Sequence, residues 1–258
     1  MQSFAGKNIL LTGASSGIGY ALAERFAKGK CNLALLARRI KILERLAEEL
    51  KAFGKDIIAV ECDVSKKENV KEAFSKVKDH FGKINIAILD SGISYRGAVN
   101  FDEDKGEQVI KVNLFGLIYC IEELLPDFKR NKEGIIVGIS SLADSRGYPL
   151  SSYYSASKAA VSHYLESLRV ELKSYHVKVL TVKPGFVRTP MTDKNEFYMP
   201  FLMEAEKAAN IIIKGIKKEK TIIQFPLPIV LGSKILKIMP NKLYDFLLSK
   251  PLPSKKNY

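Results

Sequence analysis

The sequence predicts an α/β fold in which a doubly wound sheet of about seven parallel strands carries helices on both faces. Three observations predict it. Seven short apolar runs alternate with segments of helical periodicity, a glycine-rich turn follows the first run, and 258 residues with 47% hydrophobic side chains can bury one full core. The same composition, with 27% charged residues, excludes disordered, collagen-like and coiled-coil chains.

Residues 8–11 read as a buried strand, 12–19 as its turn and 18–28 as a helix ended by Gly29. A second strand is expected at 32–36, followed by a helix over 40–53 with Leu43, Leu46, Ala47 and Leu50 on one face. The third strand, 57–61, precedes a helix over 65–80 that turns Val70, Phe74 and Val77 inward. After a fourth strand at 84–89 comes one long helix over about 105–131, and after a fifth at 134–140 a second long helix over 152–175. Strands at 177–182 and 221–225 complete the set, and right-handed crossovers place helices on both faces. No repeat or low-complexity linker breaks the pattern before about Pro226, where Pro-Leu-Pro and two lysine-bearing apolar runs, 231–239 and 243–248, begin.

The octet Thr12-Gly13-Ala14-Ser15-Ser16-Gly17-Ile18-Gly19 lies between the first strand and its helix. Glycines there let backbone N–H groups approach a pyrophosphate at the positive end of a helix, so Gly13, Ser15, Ser16, Gly17, Ile18 and Gly19 are candidate cofactor contacts. A tight structural turn is the alternative. Dinucleotide sites usually place an acid after the second strand to hold the ribose 2′-OH, but Leu36-Ala37-Arg38-Arg39 offers none. Arg38, with Arg39 beside it, suits a 2′-phosphate through its guanidinium fork, which favours NADP(H) over NAD(H); two solvated arginines opening a helix would look the same.

Tyr154-Ser155-Ala156-Ser157-Lys158 puts a phenol and an ammonium four residues apart on one helix face. A cation beside a phenol stabilises the phenolate and moves a group of ordinary pKa near 10 toward neutral working range. Thirteen residues before Tyr154, Ser141 ends an apolar strand at the carboxyl edge where open α/β sheets bind ligands. Strand alternation sends Ser140 to the opposite side. Asn113 is a polar residue on an otherwise apolar helix, either a satisfied buried amide or part of the site.

The Gly-x-x-x-Gly-x-Gly turn, Ser141, Tyr154-x-x-x-Lys158 and Lys183-Pro184-Gly185-Phe186-Val187-Arg188-Thr189 together resemble, over roughly residues 6–225, the short-chain dehydrogenase/reductase family, whose fold is Rossmann-type. The resemblance implies an NADP(H)-dependent oxidoreductase that interconverts a carbonyl and an alcohol by hydride transfer. Tyr154 would be the acid/base, Lys158 would lower its pKa and bind the nicotinamide ribose, Ser141 would orient the carbonyl and Asn113 would support a water-linked proton relay. It implies further that Asp63 and Val64 meet the adenine, that Pro184, Gly185 and Val187 seat the nicotinamide carboxamide, and that Thr189 adds a contact. A helix N-cap at Asp63 and a plain Pro-Gly turn are the alternatives. One departure stands out: the family's usual Asn-Asn-Ala-Gly is here Leu89-Asp90-Ser91-Gly92, which keeps the glycine Gly92 and adds a carboxylate beside the nucleotide. Altered or weaker cofactor binding is the expected consequence.

Residues 1–225 are thus expected to form a single dinucleotide-binding and catalytic domain, and 226–258 a basic, apolar extension packed on it or on a membrane or partner. The substrate would lie between 145–153 and 191–203, where Phe186, Met191, Phe197, Tyr198, Met199, Phe201 and Met203 favour a lipophilic ketone or aldehyde unless they simply pack the core. A non-catalytic NADP(H)-binding sensor or scaffold is the alternative function. The family resemblance makes a homodimer or homotetramer the expected assembly.

The net charge of +13 favours anionic partners, and residues 214–258 hold ten lysines against Glu219 and Asp245, eight of the thirteen excess charges. Those lysines form no nucleic-acid docking motif, so no nucleic-acid partner is expected, whereas peripheral contact with an anionic membrane through the extension is open. Cys31, Cys62 and Cys120 are too dispersed for a disulfide framework or zinc cluster, so no metal is expected and a reducing, cytoplasmic compartment is. With Gly13 so near the first residue no signal peptide is expected, and no apolar run approaches the roughly 18 to 20 residues that span a bilayer.

Overall fold

A computed structural model describes residues 4–53, 56–95 and 102–249. Its seven strands are β1 (Asn8–Thr12), β2 (Asn32–Ala37), β3 (Ile57–Glu61), β4 (Ile86–Leu89), β5 (Gly134–Ile139), β6 (Val177–Pro184) and β7 (Ile222–Phe225). They form one sheet in the order β3-β2-β1-β4-β5-β6-β7, every neighbouring pair parallel. Strand order reverses between β1 and β4, the switch point at which such sheets open a ligand crevice beyond their carboxyl ends.

The strands are continuous apolar runs because both faces of the sheet are covered. Neighbours on β1 show it. Leu11 packs into the layer built from α1 (Gly17–Lys28), α2 (Ile40–Leu50) and α8 (Ala205–Lys217), while Leu10 packs into the layer of α3 (Lys67–Phe81), α5 (Gly116–Asn131) and α6 (Ser152–Glu171). Each leucine is fully buried, which contributes about 1.5–3 kcal/mol per side chain.

Element boundaries differ from expectation where a side chain interrupts the regular ladder. The single helix expected over 105–131 is three segments: α4 (Glu103–Ile110), a π-helical turn (Lys111–Phe115) and α5. The turn carries Asn113, whose amide is drawn onto the backbone of Ile93. A π turn inserts one residue without breaking the apolar face, so periodicity does not register it. The helix expected to reach residue 175 is α-helical to Glu171 and then tightens to a 3₁₀ turn, Leu172–Tyr175, closed by the left-handed His176. Gly29 caps α1 with a negative φ, and the left-handed residue there is Lys30.

Helix α8 was not expected, although Ala208, Ile212 and Ile216 repeat at helical spacing. Between β6 and α8 lies the short α7 (Pro190–Asp193), and after β7 come α9 (Leu227–Ile238) and α10 (Asn241–Leu248). Residues 250–258 of the expected extension lie outside the described residues. Among the described residues no helix is long and apolar enough to cross a membrane.

Candidate active site

A cavity of about 520 Å³ opens at the carboxyl ends of the central strands. Every candidate site residue lines it except Gly19 and Asn113, which stand directly behind its wall. The glycine-rich turn forms one end. There the backbones of Gly13 and of Asp90-Ser91 approach so closely that a Cβ on Gly13 would lie 3.0 Å from the Asp90 carbonyl carbon, and a Cβ on Gly19 would lie 2.5 Å from the Gly13 oxygen. Gly13 and Gly17 both adopt positive φ. The turn is therefore a stripped backbone at the head of α1, which fits a dinucleotide pyrophosphate: the helix end offers N–H donors and the positive end of its dipole.

Arg39 lies across this turn, donating from Nη2 to Ser15 Oγ at 2.8 Å and to Ser16 Oγ at 2.9 Å. Arg38 also lines the cavity and is exposed. Strand position alone did not distinguish the two arginines; the contact with Ser15 and Ser16 does. Asp63 and Val64 form the neighbouring wall. Asp63 Oδ1 accepts from the Ser65 amide at 3.1 Å and hydroxyl at 2.7 Å, a local turn ahead of α3. Val64 packs on Gly116, where a Cβ would come within 2.8 Å of the valine methyl.

At the other end, Ser141 and Tyr154 line the cavity together, the serine hydroxyl beside the phenol. Burial holds the Tyr154 phenol above its ordinary value, the Ser141 hydroxyl draws it down, and the Asp90 carboxylate raises it further. Lys158 Nζ lies 5.8 Å from the Tyr154 ring centroid and donates to the Ile139 carbonyl at 2.9 Å. Burial brings its pKa down to about 8, with Asp90 acting in the opposite direction. Burial is the largest influence on the phenol, and the amine beside it is tied to the end of β5.

Asn113 is buried and fully engaged, accepting from the Ile93 amide at 2.8 Å and donating to the Ile93 carbonyl at 2.9 Å and to Ser157 Oγ at 3.0 Å. It braces the segment after β4, which contains Gly92, against α6. Asp90 is pushed up to about 7 by burial, with the Lys158 charge and the Gly19 N–H pulling the other way. It shares the head of α1 with the turn.

Pro184, Gly185, Val187 and Thr189 line the far wall, where Thr189 caps α7 and holds its methyl over Gly17. Of the expected aromatic and thioether wall, only Met191 reaches this cavity. Met199 and Met203 are buried in packing, Phe186 stacks edge-on with Phe197, and Tyr198 and Phe201 are exposed. Ile93, Val112 and Lys194 also line the cavity, and they carried no motif in the sequence.

Beneath Ser141 runs a buried polar chain that no local pattern announced. Lys183 Nζ pairs with Asp144 Oδ2 at 2.6 Å, Ser162 Oγ donates to the same oxygen at 2.5 Å, and Ser140 Oγ links Ser162 (2.8 Å) to the Lys158 carbonyl (2.9 Å). Ser140 thus faces α6 while Ser141 faces the cavity, as strand alternation requires. Asp144→Asn leaves the Lys183 ammonium without its carboxylate and is expected to cost about 3 kcal/mol, read from chemical denaturation; a loss under about 0.5 kcal/mol would show the chain to be dispensable.

A family model described as short chain dehydrogenase matches residues 7–197. The chain is 34% identical over 248 residues to an uncharacterized oxidoreductase of Myxococcus xanthus, covering 95% of this chain and 97% of that one. It is 34% identical over 235 residues to 11-beta-hydroxysteroid dehydrogenase-like 3 of Arabidopsis thaliana, covering 87% and 75% respectively. The crystal structure of a short chain dehydrogenase/reductase from Burkholderia phymatum in complex with NAD has the same fold, with a TM-score of 0.84 over 98% of this chain and 99% of that one at 24% identity.

Proposed function

Because this chain belongs to the short-chain dehydrogenase family, we propose that it is an NADP(H)-dependent oxidoreductase that interconverts a lipophilic ketone or aldehyde and the corresponding alcohol. The observation that carries this reading is the convergence of Ser141, Tyr154 and Lys158 on one wall of a cavity whose opposite end is the glycine-rich turn. A nicotinamide bound there supplies or accepts the hydride. The protein holds the other half of the reaction. Tyr154 keeps a proton at its hydroxyl within reach of a substrate oxygen that the Ser141 hydroxyl orients, and Lys158 holds positive charge behind the phenol. Asn113 fixes the wall segment at Ile93 so that these groups keep their spacing.

Arg38 and Arg39, with no acid at the end of β2, support the choice of NADP(H). Replacing both by alanine is expected to raise the KM for NADPH by about tenfold to a hundredfold, the worth of one or two charge-assisted hydrogen bonds, while changing the KM for NADH little. Equal effects on the two cofactors would remove the 2′-phosphate assignment. Apolar cavity residues Ile93, Val112 and Met191 support a lipophilic substrate, as does the hydroxysteroid named for the Arabidopsis relative. The test is NADPH absorbance across a panel of lipophilic ketones and aldehydes; tight NADPH binding with no turnover on any of them would favour the sensor or scaffold instead. Self-association belongs to the same reading, with exposed Phe115 and Val170 on the α5–α6 side as the apolar surface it would cover, and sedimentation reads it directly.

A further inference from the structure

Helices α9 and α10 turn a row of large apolar side chains to solvent. Leu227, Leu231, Ile235 and Ile238 recur at helical spacing on α9, opposite the buried Val230 and Ser233, and Ile238 is 83% exposed. Leu243, Phe246 and Leu247 continue the row on α10, with Phe246 61% exposed. Single exposed apolar residues are ordinary, but seven within two consecutive helices form a patch of the kind that marks a binding surface.

The two helices are not loose appendages. Arg146, in the loop between Ser141 and Tyr154, donates to the carbonyls of Leu236 (2.8 Å) and Met239 (2.5 Å) and to Asn241 Oδ1 (2.6 Å), and stacks 3.9 Å from the Tyr244 ring centroid. Tyr244 in turn donates to the Gly147 carbonyl. The outward row is therefore held rigidly on the catalytic loop, next to Gly185, whose Cβ position lies 3.1 Å from Pro226.

Charge selects the occupant. Lys234, Lys237 and Lys242 are exposed among the apolar side chains, and Asp245 is the one carboxylate on α9 and α10. A second copy docked through this face by two-fold symmetry would gather six of these lysines against two Asp245 carboxylates in one interface, which like-charge repulsion opposes. Apolar side chains with interspersed lysines suit instead a surface that is greasy and negative at once. We propose that α9 and α10 lie on an anionic lipid bilayer, with Leu231, Ile235, Ile238 and Phe246 entering the acyl boundary and the lysines meeting the headgroups. The cavity then sits beside the lipid surface, whatever the reaction inside it.

The test is flotation of the full-length protein with vesicles of phosphatidylcholine alone and with vesicles in which about a third is phosphatidylserine. Wild type is expected to float with the second kind only. Ile235→Glu/Ile238→Glu and Lys234→Glu/Lys237→Glu, all at exposed positions and checked for unchanged melting, are each expected to lower partitioning by about tenfold or more. Three results would overturn the proposal: no flotation of wild type with either vesicle, flotation untouched by both double variants, or variants that dissolve an oligomer in solution while wild type ignores vesicles, which would make a second copy the occupant. The readout is independent of turnover, so loss of the enzyme reading leaves it standing.

Discussion

Tyr154→Phe is expected to lower kcat by about 10²- to 10⁴-fold, the share a positioned general acid or base contributes. The substitution removes one oxygen from a partly buried ring and leaves Ser141 and Lys158 in place, so melting should move little while turnover collapses. The pH dependence separates this role from a packing role. Burial holds the phenol above its ordinary value, so it stays protonated through the neutral range. Carbonyl reduction, which takes that proton, should be flat there and fall only as pH rises through the elevated pKa; alcohol oxidation, which needs the deprotonated oxygen, should rise over the same alkaline range. Stopped-flow NADPH absorbance in both directions reads it. A Phe variant with near-normal kcat, or a wild-type reduction rate that climbs with alkaline pH, would dismiss Tyr154 as the acid/base.

Asp90→Asn should strengthen both the fold and cofactor binding at pH 8; at pH 5 the binding gain should vanish, because the folded carboxyl is protonated there, while about a third of the stability gain should remain. The carboxyl is raised from 3.8 to about 7 by burial, so between those values the folded chain binds more protons than the unfolded one. Stability contributed by this group therefore falls as pH climbs through that window, and the full penalty is present above pH 7. Asparagine stays neutral and keeps an acceptor for the Gly19 N–H. The gain at pH 8 is about 1–2 kcal/mol once the partial exposure of Asp90 to solvent is allowed for. The same charge sits at the head of α1, where a pyrophosphate would compete with it, so NADPH affinity should rise about tenfold at pH 8 in the variant. Fluorescence titration and denaturation at the two pH values check both halves. Identical wild-type and variant affinities at pH 8 would mean that the carboxylate does not oppose the cofactor.

Much of this architecture is legible along the chain because its signals are local. Leu10 and Leu11 are adjacent and both buried, which announces a strand covered on two faces. Ser140 and Ser141 point to opposite sides of β5 because alternation leaves no other choice. The π turn at Asn113 was hidden for the same reason: the amide that draws the backbone out reaches Ile93, twenty residues earlier in the chain, and periodicity counts only near neighbours.

By itself the sequence determined the class of fold, the order of its strands along the chain and the residues brought to one sheet edge, since each depends on residue type within a few positions. Only the tertiary structure decided which arginine crosses the glycine-rich turn, that the methionines at 199 and 203 pack away from the cavity while Met191 faces it, and that Lys158 answers to the Ile139 carbonyl and to Asp90 as well as to Tyr154. Those outcomes rest on distances between residues far apart in sequence and on how much water the finished fold excludes from them. Desolvation moves a pKa by units, and no local pattern of residue types encodes it.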